Sequence, residues 1–326
     1  MQHLSIPALA KRIPDEPSAY QFLEELRWGD TPVCPHCAST TVGFLTPRTG
    51  TDTRATRTGT QSPRRVWKCK NKECRKQFSA LTGTIFHGSK IPVRSWLFVL
   101  FEMCASKNGV SAREIQRKYE LTPKTAWFMT MRIREAMKRN PSATKMVGTI
   151  VADEAFIGGK ARNKYGTLSA DKAKRIIPEK TPVLTLIDKE TGEARSRVIA
   201  NVTSDTLYTA INRQVNFSGS RLMTDDWRGY DFVGNQFSEG HDTVFHSGGE
   251  YVRGDVTSNQ AENYFSQLKR SLDGTHHRIS ATHLDRYLAE FDFRFSTRKL
   301  SDTQRMARLM GQTAGRRLAY KPLSGR

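Results

Sequence analysis

The chain has 326 residues, of which 37% are apolar types, so it is long enough for two or three domains with buried cores. It carries 52 Lys and Arg against 32 Asp and Glu, a formal net charge of +20. Chains this basic usually bind a polyanion, because neutralising phosphates releases counterions. We therefore expect a nucleic-acid partner, with a ribosomal or membrane-surface protein as the alternative on charge alone.

Export and membrane insertion are not indicated by the pattern of apolar residues. Met1–Tyr20 contains no apolar run typical of a signal peptide. The longest apolar stretch, Trp96–Phe101, is far too short to cross a bilayer. We expect a soluble intracellular protein without a membrane partner.

Near the start of the chain, a short amphipathic helix over Ser18–Arg27 precedes four cysteines in two pairs. The pairs are Cys34-x2-Cys37 and Cys69-x4-Cys74, separated by 31 residues. Four thiolates satisfy a tetrahedral structural Zn²⁺, and a long intervening loop adds little closure entropy. The spacing predicts a zinc ribbon built from short strands. The alternatives are free core cysteines or a redox pair at Cys34 and Cys37.

Two further residues bear on this metal site. His36 lies between two of the cysteines and could replace one as a ligand, although four cysteines suffice. Cys104 stands in an apolar helical stretch, so we expect it in the core. The cysteine pairs alone therefore supply the predicted ligand set.

The segment between the cysteine pairs, Pro47–Arg65, consists mainly of Thr, Gly, Arg and Ser. It contains no large apolar side chain, so it cannot fold on its own. It is either a solvated loop or a flexible basic arm laid against DNA. In the second case Arg64 and Arg65 are candidate DNA contacts.

The next region, Pro92–Asn140, has a helical pattern. An apolar helix around Trp96–Met103 ends at the breaker Asn108-Gly109. Ser111 and Glu114 have capping-box spacing for a second helix, Ala112–Tyr119.

A third helix is predicted to begin at Pro123, which suits the first helical position. The resulting spacing resembles a helix-turn-helix and would place Lys124 and Thr125 near a DNA groove. Many helical bundles share this spacing, so a purely structural bundle is the alternative.

From Met146 the pattern changes to strands with interspersed helices. The predicted strands are Val147–Val151, Val183–Ile187, Arg197–Val202 and Leu222–Asp225, and the predicted helices are Asp205–Val215, Asn259–Leu272 and Thr282–Phe295. Such an order indicates an α/β domain on one mixed sheet.

Three carboxylates occupy positions where they could meet above a sheet edge. Asp153 is expected just after the strand Gly148–Val151, before a tight turn, and Asp225 at the end of another strand. Glu262 lies in a predicted helix. Like charges gather only when a cation holds them, and Mg²⁺ prefers oxygen ligands. The three residues therefore predict a magnesium site for phosphoryl transfer.

Neighbouring residues leave the assignment open in part. Glu154 and Asp226 compete with the adjacent Asp153 and Asp225, because side-chain alternation decides which one faces the site. Strand-end Asp residues are also common as caps.

The helix that carries Glu262 supplies further candidates on the same face. Lys269 lies two turns after Glu262, Asn259 lies one turn before it, and Arg270 is a further candidate DNA contact. A Glu–Lys spacing on a helix is also common on a solvated face, which is the alternative here.

Ordered motifs along most of the chain resemble the IS1595-type (ISXO2-like) bacterial transposases. They are Leu26-Arg-Trp28, Cys34-Pro-His-Cys37, Cys74-Arg-Lys-Gln-Phe78, Leu81–Phe86, Asp153-Glu-Ala-Phe-Ile-Gly-Gly-Lys160, Thr224-Asp225 with Tyr230, His246–Tyr251, Asn259-Gln-Ala-Glu262, Leu268-Lys-Arg270, Gly274–His277 and Leu284–Arg294. So many motifs in order make a chance match improbable.

This resemblance implies an RNase H-like mixed-sheet catalytic domain preceded by a zinc ribbon and a helix-turn-helix-like DNA-binding domain. It assigns Asp153, Asp225 and Glu262 to Mg²⁺ or Mn²⁺, and Lys269 as the downstream basic residue. The implied activity is strand cleavage and strand transfer by 3′-hydroxyl attack.

Double-stranded DNA is the implied partner, as transposon ends and as target. A homodimer or larger assembly on DNA is expected, in the bacterial cytoplasm at the nucleoid. The expected division of the chain is 1–90, 91–145, 146–300 and a basic tail over 301–326.

Some residues depart from the family pattern, and other functions stay open. The family often has His where Thr257 stands and Trp where Phe265 stands, and related groups suggest Asn259 as a minor candidate for the third catalytic position. Trp227 and Tyr230 could stack on a flipped base, although core packing is the more ordinary role for Tyr230. The alternatives are an inactive, regulator-like DNA binder, a DNA-packaging protein, and a nuclease that cuts without joining.

Overall fold

A computed structural model describes residues 4–45, 65–139, 144–158, 180–245, 248–250, 252–277, 279–320 and 323. Within the predicted basic segment only Arg65 is described, so Arg64 lies outside, as does His246. The chain divides into two compact units, Met1–Ser106 with Val110–Met137 and Leu300–Arg326, and Lys107–Gly109 with Lys138–Lys299. The four-part division expected from the sequence stays a prediction.

The helices and strands are labelled in chain order. The helices are α1 (Ile6–Arg12), α2 (Glu16–Trp28), α3 (Val93–Ala105), α4 (Ala112–Lys118), α5 (Pro123–Met137), α6 (Ser204–Asn212), α7 (Asp231–Gly234), α8 (Asn259–Ser271), α9 (Ala281–Ser296) and α10 (Asp302–Gly311). The strands are β1 (Val42–Leu45), β2 (Val66–Cys69), β3 (Gln77–Phe78), β4 (Met146–Ile157), β5 (Thr181–Asp188), β6 (Ala194–Val198), β7 (Val215–Asp225), β8 (His241–Val244), β9 (Val252–Arg253) and β10 (Val256–Thr257). None of the described helices combines the length and apolarity needed to cross a bilayer.

The first unit is built on α3, whose apolar side chains are buried almost all round. It contacts α2 and α10, so a helix from the end of the chain completes the core begun by the early residues. The predicted cap of α4 is confirmed, because the Ser111 hydroxyl accepts a hydrogen bond from the Glu114 N–H at 3.1 Å. Pro123 begins α5 as predicted.

The cysteine-bearing part of the first unit is a small antiparallel sheet in the order β1-β2-β3. Its register pairs Val42 with Cys69 and Trp67 with Phe78. The Trp28 ring meets the rings of Trp67 and Phe78 edge-on at 6.2 and 5.8 Å. This aromatic contact anchors a sheet too small to bury a core of its own.

The second unit holds a five-stranded mixed sheet in the order β6-β5-β4-β7-β8. β4, β7 and β8 run parallel, and β5 and β6 run antiparallel to their neighbours. One face buries Ile150, Ala152 and Leu222 against α6. The opposite face is contacted by α8, which follows the β9–β10 hairpin.

The edge strand β6 is covered by α9. The N–H groups of Ala194, Ser196 and Val198 donate to side-chain oxygens of Ser296, Asp292 and Asp285, at 2.9, 2.8 and 3.2 Å. Alternate residues of a strand present their N–H groups to one edge, and an unpaired edge invites aggregation. One helix therefore satisfies the exposed edge of the sheet.

Several predicted boundaries are wrong. β4 continues to Ile157 where a tight turn was expected, because antiparallel pairing with β5 extends from Ile150 to Ile157. β6 spans Ala194–Val198 rather than Arg197–Val202, and β7 begins at Val215, where a helix was expected to end. These strand boundaries are set by hydrogen-bonded pairing with strands that lie far away in the sequence.

Other elements have no counterpart among the sequence predictions. They are α1, α7, α10, β8, β9 and β10. The end of the chain was expected to be a basic tail, yet it contains α10, capped by a box in which Ser301 and Gln304 exchange hydrogen bonds. Most of these elements are short, so their local patterns are weak.

Candidate catalytic and metal sites

The four predicted zinc ligands converge in the first unit. Their Sγ atoms all lie within 4.8 Å of one another, with Cys34–Cys74 at 3.8 Å and Cys37–Cys69 at 3.6 Å. Each pair sits on a tight turn that ends in a residue of positive φ, Ala38 at 58° and Arg75 at 47°. These turns direct the thiols of each pair toward one point.

The spacing of the sulfurs fits zinc. A tetrahedral ion with Zn–S bonds of about 2.3 Å holds its sulfurs about 3.8 Å apart. Cys34 and Cys69 are buried, Cys74 is partly buried and Cys37 is exposed. His36 is not part of the cluster, and Cys104 is buried on α3 as expected. The four cysteines could thus hold a Zn²⁺ ion without another ligand.

The predicted carboxylates Asp153 and Asp225 lie on the same face of the large sheet. The parallel pairing of β4 and β7 ends at Val151 and Met223, and each Asp stands two residues further along its strand. Side chains alternate along strands, so both Asp residues point away from the core that buries Ile150 and Leu222. Pairing between strands distant in sequence therefore brings the two carboxylates together.

Glu262 approaches this face from α8. It shares a cavity of about 450 Å³ with Asp153. The cavity is lined by Asp153, Glu154, Ala155, Glu262, Phe265, Ser266, Lys269, Arg270 and Asp273. Asp225 lies beside this cavity rather than in its lining. The hydroxyl of Ser258, just before α8, donates a hydrogen bond to Oε1 of Glu262 at 3.3 Å.

The electrostatics of Asp153 reflect its acidic surroundings. Burial, together with the charges of Glu154, Asp225 and Glu262, raises its pKa to about 7, although the Glu154 N–H donates to the carboxylate at 2.7 Å. The raised pKa means that burial and the neighbouring carboxylates disfavour the negatively charged form of Asp153. A divalent cation would relieve that repulsion, so the carboxylates fit a hard metal ion such as Mg²⁺.

Glu154, the competitor of Asp153, has a different partner. Its Oε2 accepts a 2.5 Å hydrogen bond from the hydroxyl of Tyr230, which is fully buried in the core beneath the sheet. Burial, and then the charge of Asp225, raise the pKa of Glu154, while the Tyr230 hydroxyl lowers it. Core packing of Tyr230 is thus confirmed. Asp153 and Glu154 both line the cavity beside α8, and the choice of Asp153 as the metal ligand stays a prediction.

Two basic candidates on α8 line the same cavity as Glu262. Lys269 and Arg270 line the cavity with Glu262 and are exposed. The Arg270 guanidinium donates to the Ser266 hydroxyl at 3.0 Å. Asn259 is exposed at the helix start, outside the cavity lining. Basic groups therefore border the acidic cavity.

The structure also adds residues that the sequence analysis did not single out. Ser266 and Asp273 follow Glu262 by one and three helical turns and line the cavity. Helical spacing from Glu262 would have identified both. Arg221 on β7 could not have been identified from local spacing. It forms ion pairs with Asp242 at 2.7 Å and with Asp255 at 2.6 Å, and both partners are distant in sequence.

The predicted DNA contacts of the first unit have mixed environments. Lys124 and Thr125 lie in the first turn of α5, where Lys124 Nζ is 4.4 Å from the centre of the Tyr320 ring. Arg65 donates to Glu24 at 2.9 Å and lies 4.5 Å over the Phe44 ring. These contacts give Arg65 a packing role in the ribbon, and its contact with DNA stays a prediction.

Comparison with known proteins agrees with this arrangement. The ISXO2-like transposase domain matches residues 145–296, and a transposase zinc-ribbon domain matches residues 14–77. A relative from Halobacterium salinarum, described as an uncharacterized protein in transposable element ISH50, is 25% identical over 291 residues, which span 87% of this chain and 92% of the relative.

A zinc-ribbon domain followed by a transposase domain defines the class of protein as a transposase. The two matched domains come from one family and together span well over half of the chain. The chain belongs to the IS1595 family of insertion-sequence transposases.

Proposed function

We propose that this transposase cleaves the ends of its element and joins them to target DNA by metal-dependent phosphoryl transfer on an RNase H-like fold. The observation that carries the proposal is the convergence of Asp153 and Asp225 on one sheet face, under the helix that bears Glu262. The mixed sheet with three parallel strands supports that fold.

The roles of the residues follow from their charges and positions. Asp153, Asp225 and Glu262 would hold Mg²⁺ or Mn²⁺, which would activate the attacking oxygen and stabilise the leaving oxygen of an in-line displacement. Lys269 borders the same cavity, so it would bind a phosphate oxygen next to the scissile bond. Water is the first nucleophile, and the freed 3′-hydroxyl is the second.

DNA binding is assigned to the first unit. The zinc ribbon and the first turn of α5 supply the contacts, with Lys124 and Thr125 at the groove and Arg270 of the second unit at the backbone. The net charge of +20 supports binding to double-stranded DNA. Joining two ends calls for at least a dimer on DNA, and the substrate places the protein at the nucleoid.

An assay with labelled element ends tests the proposal, with nicking and joining scored separately, with and without Mg²⁺. Asp153→Ala, Asp225→Ala and Glu262→Ala should each abolish both steps while DNA binding persists. Glu239→Ala is the matched control, because Glu239 is an exposed carboxylate of the same unit outside the site.

Two results would contradict the proposal. A triad variant that still cleaves would remove its residue from the catalytic set. If wild-type protein bound the ends but neither cut nor joined them with Mg²⁺ or Mn²⁺, the chain would be a DNA-binding regulator derived from an inactive transposase.

A further inference from the structure

Trp227 is an exposed aromatic residue two positions after Asp225. Its side chain is 49% exposed, and its backbone N–H donates to Oδ1 of Asp225 at 3.1 Å. The same hydrogen bond therefore ties the position of the indole to that of a proposed metal ligand. Trp227 is not among the residues of the hydrophobic core that packs against the sheet.

One side of the indole is covered by the chain itself. A Cβ atom on Gly229 would lie 2.2 Å from Nε1 and 2.8 Å from Cδ1 of Trp227, so the ring occupies space that only a glycine leaves open. The ring lies against Gly229 on this side, while about half of the residue's surface remains accessible. The accessible side leaves room for a second flat ring to stack on the indole.

We propose that Trp227 is a stacking platform for a single unpaired base of the DNA substrate, next to the scissile phosphate. Every base offers a π-face, and stacking on an aromatic side chain contributes about 1–3 kcal/mol. The next residue, Arg228, is exposed and suits a neighbouring phosphate. This inference rests on the proposed function, because the platform acts on the DNA that the carboxylates cleave.

Unpairing a base costs free energy, and a mismatch lowers that cost. The experiment therefore compares paired and mismatched DNA ends. Duplex ends of the element are prepared fully paired, or with one mismatch scanned through the terminal base pairs and their flanks. Trp227→Ala should slow cleavage of the paired ends about tenfold or more. A mismatch at one position should restore most of that loss, because the base is already unpaired, and Trp227→Phe should fall between wild type and Trp227→Ala.

Phe232→Ala is the matched control, since Phe232 is a 50% exposed aromatic of the same unit that lies 5.4 Å from the Tyr208 ring. It should cleave like wild type on every substrate. A second readout needs no cleavage: 2-aminopurine placed in a mismatch at the rescued position is already unpaired, so its fluorescence should be quenched by stacking on the indole when wild-type protein binds, and should stay bright with Trp227→Ala.

The outcomes separate the two proposals. Equal losses on paired and mismatched ends, or a 2-aminopurine signal independent of Trp227, would overturn the base platform while leaving the catalytic assignment intact. If wild-type protein cleaves no end, the proposed function fails, and the fluorescence measurement still decides whether Trp227 holds a base.

Discussion

The hydroxyl of Tyr230 donates a 2.5 Å hydrogen bond to Glu154, the residue that follows Asp153 on β4. Tyr230 also lies five residues after Asp225, so this bond connects the segment behind one proposed metal ligand to the strand that carries another. Because Tyr230 is buried, water cannot replace its hydroxyl. The bond therefore adds a link between the segment after Asp225 and the strand of Asp153, beside the β4–β7 pairing that brings the two carboxylates together.

We predict that Tyr230→Phe lowers stability by about 1–3 kcal/mol, because the partly buried carboxylate of Glu154 loses its donor. Cleavage should slow about tenfold and require a higher Mg²⁺ concentration for half-maximal rate, while DNA affinity stays unchanged. Tyr208→Phe is the control and should behave like wild type. An unchanged Mg²⁺ requirement in Tyr230→Phe would show that the bond serves stability alone.

The cysteine cluster predicts one zinc ion per chain by metal analysis. Cys69→Ser should lose zinc and unfold the ribbon, because binding energy at such a site is folding energy. Cys104→Ala should keep its zinc, since Cys104 lies outside the cluster. Zinc-free protein with an intact ribbon would refute this assignment.

Gly109 belongs to the Lys107–Gly109 segment of the second unit, and both its conformation and its surroundings require glycine. Its φ is +84°, and a Cβ would lie 2.7 Å from Arg294 and 2.8 Å from Glu290. Gly109→Ala should therefore cost about 2 kcal/mol or more in the free energy of unfolding.

The control for this substitution is Gly240→Ala. Gly240 has a φ of +90° and no atom within 4 Å of a Cβ, so its substitution should cost only the backbone strain. Chemical denaturation measures both variants. Equal losses of stability would mean that the contacts around Gly109 rearrange without cost.

Asp292 predicts a pH dependence of stability. Burial raises its pKa to about 7, even though Tyr264 and the Ser196 N–H both donate to it at 2.8 Å. The folded state therefore favours the neutral carboxyl, and this contribution to stability is complete below about pH 4 and lost as the pH rises through about 7.

In Asp292→Asn the amide oxygen can accept from Ser196 and the amide nitrogen can donate to the Tyr264 oxygen, without any titration. Relative to wild type, this variant should gain stability between pH 5 and pH 8, by at most about 3 kcal/mol. Thermal unfolding at the two pH values measures the difference. A difference independent of pH would show that Asp292 is ionised throughout.

DNA binding should weaken steeply with salt. Lys124→Ala should lower affinity on all sequences and reduce the slope of log affinity against log salt by about one. Lys11→Ala, a change of exposed charge on α1, is the control. A flat salt profile for the wild type would argue against phosphate contacts as the source of affinity.

The helices α2 to α5 of the first unit and the zinc ligands could be predicted because their signals are local. Helical periodicity marks α3, a side-chain cap marks α4, and cysteine spacing marks the metal site. The long strands β4 and β7 were found only in part. The residues at the ends of these two strands adopt strand conformation because they pair with a neighbouring strand. A single sequence does not show which segment that neighbour is.

The same distinction runs through the candidate active site. The amino-acid sequence alone determined which residue types were available, three acidic side chains and a lysine on a helix face, since their chemistry and spacing are local properties. Only the tertiary structure showed that Asp153 and Glu154 both line the cavity beside α8, that Tyr230 donates a hydrogen bond to Glu154, and that α9 covers the sheet edge. Each of these depends on strand register and on contacts between segments far apart in the chain, and chain folding alone brings those segments together.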